Sequence, residues 1–134
     1  MGTGDIPATH SLNIRAENLA LIKSGAKTIE VRVGYPKIRR IAVGDTLWFR
    51  CGDVSVATRI TGKVEYPDFE SLLDNEDNFA IAGETMHRDE LLAACRNIYP
   101  ADKEALGVFA LHLRLRLRHT AADQDGDDTP GAGS

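Results

Sequence analysis

The clearest structural signal in this sequence is a strict alternation of apolar and polar residues towards its C-terminal end. In residues 106–118, LGVFALHLRLRLR, the side chains of Phe109, Leu111 and Leu113 alternate with those of His112 and Arg114. Because successive side chains of a β-strand point to opposite faces, this spacing predicts a strand with one apolar and one charged face. Such strands are typical of antiparallel sheets, which bury one face and leave the other in solvent.

Shorter β segments precede this strand and are separated by helical stretches. Gly25 stands at the C-cap of the first helix, Gly62 interrupts a long β-rich run as a bulge or bend, and Asp68 caps a later helix. The predicted strands are residues 11–15, 27–33, 46–50 and 54–65, and the predicted helices are residues 16–24, 69–73 and 88–99. Residues 37–40 are expected to form a basic loop. This order predicts an α+β fold, a small mixed β-barrel of about five or six strands with peripheral helices.

Charge and length divide the chain into one domain and two expected flexible ends. The 134 residues include 16 basic and 20 acidic residues, giving a net charge of −4. Four of the acids lie in the last 15 residues, so the body is balanced at 16 of each sign. We therefore expect a flexible N-terminus at residues 1–10, a folded domain at 11–119 and a disordered, acidic, glycine-rich tail at 120–134.

Several classes of protein are disfavoured by the composition. No apolar run approaches the roughly 20 residues that a membrane-spanning helix needs, so no membrane partner is expected. The N-terminal residues show no basic and apolar signal-peptide pattern, which favours a cytoplasmic protein. Cys51 and Cys95 are far apart and match no metal-ligand spacing, so reduced thiols, no metal site and no cofactor are predicted.

The segment GAKTIEVR, residues 25–32, brings polar groups together. In a strand, Thr28, Glu30 and Arg32 share one face, and Lys27 lies beside them. In one interpretation these groups converge in a pocket, where burial lowers the pKa of the lysine or raises that of a carboxylate and so creates an acid–base pair. In the other, Lys27, Glu30 and Arg32 form an ion-pair ladder on a solvated sheet face.

A second candidate segment follows at residues 35–40, YPKIRR. Its one aromatic residue and three cations, namely Tyr35, Lys37, Arg39 and Arg40, suit single-stranded RNA, because a ring can stack on a base while cations hold phosphates. Scattered cations in a surface loop are the alternative.

The arginines of the last strand and the single tryptophan also leave two interpretations open. Arg114, Arg116 and Arg118 could follow a phosphate backbone, or they could form the solvated face of a sheet and protect its edge from aggregation. Trp48 is expected to point into the core rather than to serve as a stacking platform.

Five stretches in this order resemble the ASCH domain family of the PUA-like superfamily: GAKTIEVR, VGDTLWF, YPDFESLL, ELLAACRNIYP and GVFALHL. The similarity runs from about residue 12 to residue 113. It implies a small PUA-like β-barrel and recognition of RNA or of a modified nucleoside or nucleotide. The resemblance and the residue patterns above together give as candidate binding residues Lys27, Thr28, Glu30, Arg32, Tyr35, Lys37, Arg39 and Arg40.

Some small bacterial members of this superfamily are amidohydrolases that deacetylate N4-acetylcytidine, and this chain is similar to them in part. Lys27 corresponds to their lysine and Glu84 to their glutamate, whereas Glu30 stands in the place of their threonine. The resemblance thus implies RNA or nucleotide binding as the first expectation. An amidohydrolase that uses Lys27, Glu84 and Glu30 is the second expectation, and a non-catalytic regulatory or interaction domain is the third.

Overall fold

The computed structural model describes residues 6–116, which form five strands and six helices. The strands are β1 (Thr9–Asn13), β2 (Ile29–Val33), β3 (Thr46–Cys51), β4 (Val54–Tyr66) and β5 (Val108–Leu115). The helices are α1 (Ala16–Ser24), α2 (Pro36–Arg39), α3 (Phe69–Asn75), α4 (Asn78–Ala82), α5 (Arg88–Ile98) and α6 (Ala101–Glu104). The tail expected at 120–134 and Arg118 lie outside the described residues.

All five strands belong to one sheet with the order β1-β3-β4-β5-β2. β1 and β3 are parallel, and the other neighbouring pairs are antiparallel. The sheet curls into a half-barrel, and its two edge strands, β1 and β2, do not pair with each other. The predicted α+β fold with a small mixed barrel is therefore confirmed.

A β-bulge interrupts the long strand β4, which pairs with both β3 and β5. The register between β4 and β5 shifts between Ile60 and Gly62, where the predicted interruption lies. A Cβ atom on Gly62 would lie 3.3 Å from the His112 ring, so a larger residue would crowd that side chain. Bulges bend and twist a strand locally, which helps β4 to curl between β3 and β5.

The first face of the sheet, here called the α1 face, packs against α1 and α2. Leu47, Phe49 and Leu111 point to this side and are fully buried. Leu19 and Ile22 of α1 complete the apolar cluster. Gly25 ends α1 in the left-handed conformation (φ 88°), as predicted from its position in the sequence.

The opposite face, here called the α3–α5 face, is covered by helices over only part of its width. Val33, Val108 and Ala110 of β2 and β5 pack against Phe69 and Leu72 of α3, together with residues of α4 and α5. The outward side chains of β3 and of the first part of β4 lie outside this cluster. One half of this sheet face is therefore apolar and covered, and the other half is open.

Several local predictions need correction. Strand β1 begins at Thr9 rather than residue 11, because it pairs with β3 from that point, and β2 begins at Ile29 rather than residue 27. The expected basic loop contains the short helix α2, which Pro36 begins with its fixed φ angle. Between the predicted helices 69–73 and 88–99 the structure adds α4, which the side chain of Asp77 caps by accepting from two backbone N–H groups.

Trp48 was assigned to the wrong side of its strand. Phe49 is fully buried on the α1 face, so its neighbour Trp48 points to the α3–α5 face, where it is half-buried. Because Leu47 and Phe49 both point inward, the alternation of the strand directs Trp48, which lies between them, to the outer side.

Candidate nucleotide-binding pocket

A cavity of about 520 Å³ lies along the free edge of β2. Its walls come from three parts of the chain: the end of β1 with the start of α1, strand β2 itself, and the helices α4 and α5. The polar lining residues are Asn13, Arg15, Asn18, Lys27, Glu30, Arg32 and Glu84. Because both edges of the half-barrel are unpaired, the fold leaves this opening between them.

Lys27 lies buried at this cavity, with 6% of its surface exposed. Its ammonium group donates to the carbonyl oxygens of Ile29 (2.8 Å) and Ile81 (2.6 Å) and lies 3.1 Å from Oε1 of Glu30. An ammonium has three donors, so all three have partners. Lys27 is thus fixed in place as a cation between β2 and α4.

The close approach of α4 to Lys27 depends on the glycine that ends this helix. Gly83 has a φ angle of 75°, in the left-handed region that favours glycine. A Cβ atom on Gly83 would lie 3.1 Å from the Cβ atoms of both Leu21 and Lys27. The glycine therefore satisfies two requirements at once, a turn at the end of α4 and tight contact with the segment that carries Lys27.

Glu30 lies between two cations. Its Oε1 contacts Lys27, and its Oε2 accepts a 2.6 Å hydrogen bond from Nε of Arg32. Burial alone would raise the pKa of Glu30, but the charges and hydrogen bonds of Lys27 and Arg32 outweigh it and hold this pKa below its usual value of 4.5. A raised carboxylate pKa was one expectation for a catalytic pocket, and for Glu30 it is wrong.

Arg32 also connects the two edges of the half-barrel. Its Nη2 donates to the backbone oxygen of Asn13 at 2.9 Å, at the end of β1. Its guanidinium therefore joins β1, β2 and the Glu30 carboxylate by hydrogen bonds, a task that suits a planar group with several fixed donors. The side chain is half-buried, with 18% exposed.

The helical wall of the cavity is largely apolar. Met86, Leu91, Cys95 and Tyr99 contribute to it. Burial raises the pKa of Cys95 to about 11, so this thiol stays protonated and is a poor nucleophile at neutral pH. Burial also raises the pKa of Tyr99, whose ring lies 6.5 Å from that of Tyr35, measured between centroids.

The predicted site residues divide into two groups. Lys27, Glu30, Arg32 and Glu84 all line the cavity, and Glu84 is exposed at its rim. Thr28 precedes β2, is exposed and does not line the cavity. Its backbone N–H donates to the carbonyl oxygen of Ala80 and its carbonyl oxygen accepts from Leu113, so Thr28 connects α4 to β5 through its backbone.

The second predicted segment, residues 35–40, lies outside the cavity lining. Tyr35, Lys37 and Arg40 are exposed, and Tyr35 approaches the cavity through its contact with Tyr99. Arg39 is already engaged: its Nη2 lies 2.7 Å from Oε2 of Glu65 and 2.8 Å from the carbonyl oxygen of Leu106.

Sequence reasoning missed part of the lining. Asn13, Arg15 and Asn18 flank the β1–α1 junction and carry no motif, so no local signal pointed to them. Tyr99 had a signal, because it lies four residues after Cys95 and so continues the apolar stripe of α5. Its ring was not considered as part of a site.

Two further properties concern residues 6–116 as a whole. Across this range, no three His, Cys, Asp or Glu side chains come together in a way that could hold a metal ion. In the same range, no helix is long and apolar enough to span a bilayer.

Comparison with known proteins relates this chain to several solved structures. The hypothetical protein PH0355 is 26% identical, with a TM-score of 0.74, over 81% of this chain and 99% of the other. PF0455 from Pyrococcus furiosus is 24% identical, with a TM-score of 0.63, over 83% of this chain and 99% of the other. A serine-to-alanine mutant of ZmASCH from Zymomonas mobilis is 18% identical, with a TM-score of 0.55, over 78% of this chain and 66% of the other.

No curated protein matches the sequence. The ASCH domain model matches residues 12–115 of the 134-residue chain, which is most of its length. The family match agrees with the half-barrel and its helices, and the resemblance inferred from the sequence is confirmed. This chain belongs to the ASCH domain family.

Proposed function

We propose that this protein binds RNA, or a modified nucleotide, by taking one base into the cavity beside β2. The observation that carries the proposal is the buried, ionised carboxylate of Glu30 in the cavity wall. An ionised carboxylate offers about four acceptor positions. The described protein donors, Lys27 and Arg32, use two of them. The remaining capacity suits the N–H groups of a base.

The chemistry of the walls fits a flat, partly polar ligand. Ligand pockets commonly measure roughly 300–1,000 Å³ and combine apolar walls with a few fixed polar groups. Here Leu91, Met86 and the ring of Tyr99 supply apolar surface, while the Glu30 carboxylate supplies a fixed acceptor. Carboxylates accept from the exocyclic amino group of cytosine, so a base with an amino edge is the expected occupant.

The rim of the cavity suits the sugar and phosphate of the same nucleotide. Arg15 is exposed at the start of α1 and lines the opening. An arginine fork matches the geometry of a phosphate. Asn13 and Asn18, from the same wall, can donate to or accept from hydroxyl groups.

Two neighbouring alanines of α5 provide a matched test. Ala94 and Ala93 are both exposed, but only Ala94 lines the cavity. In Ala94→Phe the added ring should fill the cavity, whereas Ala93→Phe places the same ring outside it. Isothermal titration with a short cytidine-containing single-stranded RNA should show affinity at least about tenfold weaker for Ala94→Phe only. Equal affinities in the two variants, or no binding by the unmodified protein, would refute the proposal.

Amidohydrolase activity is the second candidate, because Lys27, Glu30 and Glu84 line the same cavity. The geometry favours binding over catalysis. Lys27 already donates to three acceptors, and no hydroxyl group stands at the position of Glu30.

Incubation with N4-acetylcytidine separates the two candidates. Cytidine formed by the unmodified protein and lost in Glu84→Gln would establish the hydrolase. The exposed position of Glu84 should leave the fold of that variant intact. Binding without any product would leave the cavity as a recognition site.

A further inference from the structure

The open half of the α3–α5 face carries a cluster that the pocket does not use. Arg50, Arg59, Arg114 and Arg116 lie there on the same side of the sheet as Trp48, and we call this group the arginine–tryptophan face. The strand registers set Trp48 opposite Ala57, and Arg59 opposite both Thr46 and Arg114. All these side chains therefore point to the same side of the sheet.

The four arginines of this face have no carboxylate partner among residues 6–116. Arg59 donates to the carbonyl oxygen of Gly44 and Arg116 to the hydroxyl of Thr46, each at 3.3 Å. Four other arginines, Arg32, Arg39, Arg88 and Arg96, each form an ion pair within 3.3 Å, whereas Arg15 and Arg40 form none among residues 6–116.

The remaining outward positions of this part of the sheet are neutral. Thr9 and Ser11 of β1, Thr46 of β3, and Ser55 and Ala57 of β4 occupy them. The net charge of the chain is −4, but among residues 6–116 this face concentrates positive charge with no carboxylate paired to it. Such a patch attracts a polyanion regardless of the total charge of the protein.

Trp48 supplies an aromatic surface on this face. It is half-buried on an open sheet face, and the guanidinium carbon of Arg50 lies 5.8 Å from its ring centroid. A tryptophan ring can stack on a base, and arginines on the same sheet face can bind the phosphates on either side of that base. Proteins that hold single-stranded nucleic acid use this combination.

The face is continuous with the pocket. Asn13, at the end of β1, pairs in register with Arg50, and Asn13 also lines the cavity. Strands β1 and β5 are three inter-strand spacings apart in the sheet, a distance of roughly 14 Å. A strand of RNA with one base in the cavity can therefore continue across Asn13 and Arg50 onto Trp48.

We propose that the arginine–tryptophan face is a second contact surface for single-stranded RNA, on which one base stacks on Trp48 and the arginines of the face hold phosphates. The choice of RNA as the partner rests on the proposed function. The positive charge of the surface and the position of Trp48 on it do not depend on that choice.

The single tryptophan of the chain makes this surface directly observable. Titration of the full chain with an oligouridylate at low salt should quench the emission of Trp48. The double variant Arg59→Gln/Arg114→Gln should weaken binding, and the slope of log K against log salt should fall by about 1.4, or 0.7 for each lost phosphate contact. The control double variant Lys23→Gln/Arg88→Gln removes the same charge from helices α1 and α5 and should keep the slope.

Three results would overturn the proposal. One is RNA binding with unchanged Trp48 emission. Another is an equal loss of affinity in both double variants, which would indicate general electrostatic attraction. The third is equal quenching by inorganic polyphosphate, which carries no base and would show that stacking is not involved.

The variant Ala94→Phe separates this proposal from that of the pocket. One result would support the face and refute the pocket. In it, oligouridylate still quenches Trp48 in Ala94→Phe, and cytidine-containing RNA binds Ala94→Phe and Ala93→Phe with equal affinity. The reverse pattern, with discrimination at Ala94 but no response of Trp48, would refute the face alone.

Discussion

Two regions of this protein, the pocket and the arginine–tryptophan face, hold their charged side chains in contrasting electrostatic environments. In the pocket, Lys27, Glu30 and Arg32 are of both signs, largely buried and in contact with one another. On the arginine–tryptophan face, the charges are of one sign, mostly exposed and without a carboxylate partner in the described structure. Exposed charges are screened by salt, whereas buried pairs are screened much less.

The difference indicates a division of tasks. The pocket charges are needed by the fold itself, because Lys27 and Arg32 connect β2 to α4 and to β1 as well as contacting Glu30. The arginines of the open face contribute little to the fold and remain available to a partner. Substitutions in the pocket should therefore affect stability first, and substitutions on the face should affect binding first.

The largest effect is expected for Glu30→Gln. Without its carboxylate, the buried ammonium of Lys27 loses its counter-charge, and breaking a buried pair in this way typically costs about 3 kcal/mol. Urea denaturation of the variant and the unmodified protein measures this loss in the free energy of unfolding. A loss below about 1 kcal/mol would mean that the two carbonyl oxygens alone stabilise Lys27.

Acid should remove most of that difference. Because the pKa of Glu30 is lowered in the folded protein, its ionised form stabilises the fold above pH 4.5, and this contribution disappears as the pH falls through the folded pKa. Glutamine does not titrate, so the stability gap between Glu30→Gln and the unmodified protein should narrow below pH 4.5. A gap that stays constant from neutral pH to about pH 3 would contradict the assigned charge state.

An intermediate effect is expected for Arg32→Lys. Lysine keeps the charge near Glu30 but lacks the fork that also reaches the backbone of Asn13, so stability should fall by about 1–2 kcal/mol. The same exchange at Arg88, a half-buried residue paired with the exposed Asp74, serves as the control and should cost less than about 0.5 kcal/mol. Equal losses at both sites in thermal unfolding would show that Arg32 does not tie the two sheet edges together.

The smallest effect on stability is expected for Arg114→Gln. Its side chain is exposed and has no ion-pair partner in the described structure, so the free energy of unfolding should change by less than about 0.5 kcal/mol. The affinity for single-stranded RNA should nevertheless fall in the same variant, as measured by fluorescence anisotropy at low salt. A marked loss of stability would place Arg114 among the structural charges and remove the contrast between the two regions.

Local signals in the sequence predicted the local features well. Gly25 and Asp68 act on backbone groups within a few residues, so their roles as caps follow from position alone. The alternation in β5 likewise predicted the separate faces of Leu113 and Arg114, but not that Val108 and Ala110, on the same face as Arg114, are buried under the helices. The resemblance to ASCH domains then supplied the architecture that connects these pieces.

Features that depend on distant parts of the chain could not be predicted in the same way. A buried pocket and an exposed ion-pair ladder would both give the alternation of side chains seen in β2. The two are distinguished only by the backbone carbonyl of Ile81, which accepts a hydrogen bond from Lys27 although it is distant in the sequence. Asn13 lines the cavity because it lies at the end of β1, an edge strand of the half-barrel. Trp48 is left half-buried on the open part of the sheet because the helices cover β2 and β5 but leave β3 free.

The most direct test of the account is an NMR titration of the isotope-labelled protein with a short single-stranded RNA that contains cytidine. The account predicts that the amide signals of Asn13, Glu30 and Ala94, around the cavity, shift together, and that the indole signal of Trp48 shifts with them. Shifts confined to other surfaces, with the signals of the cavity residues unchanged, would contradict the central claim that this pocket holds a base.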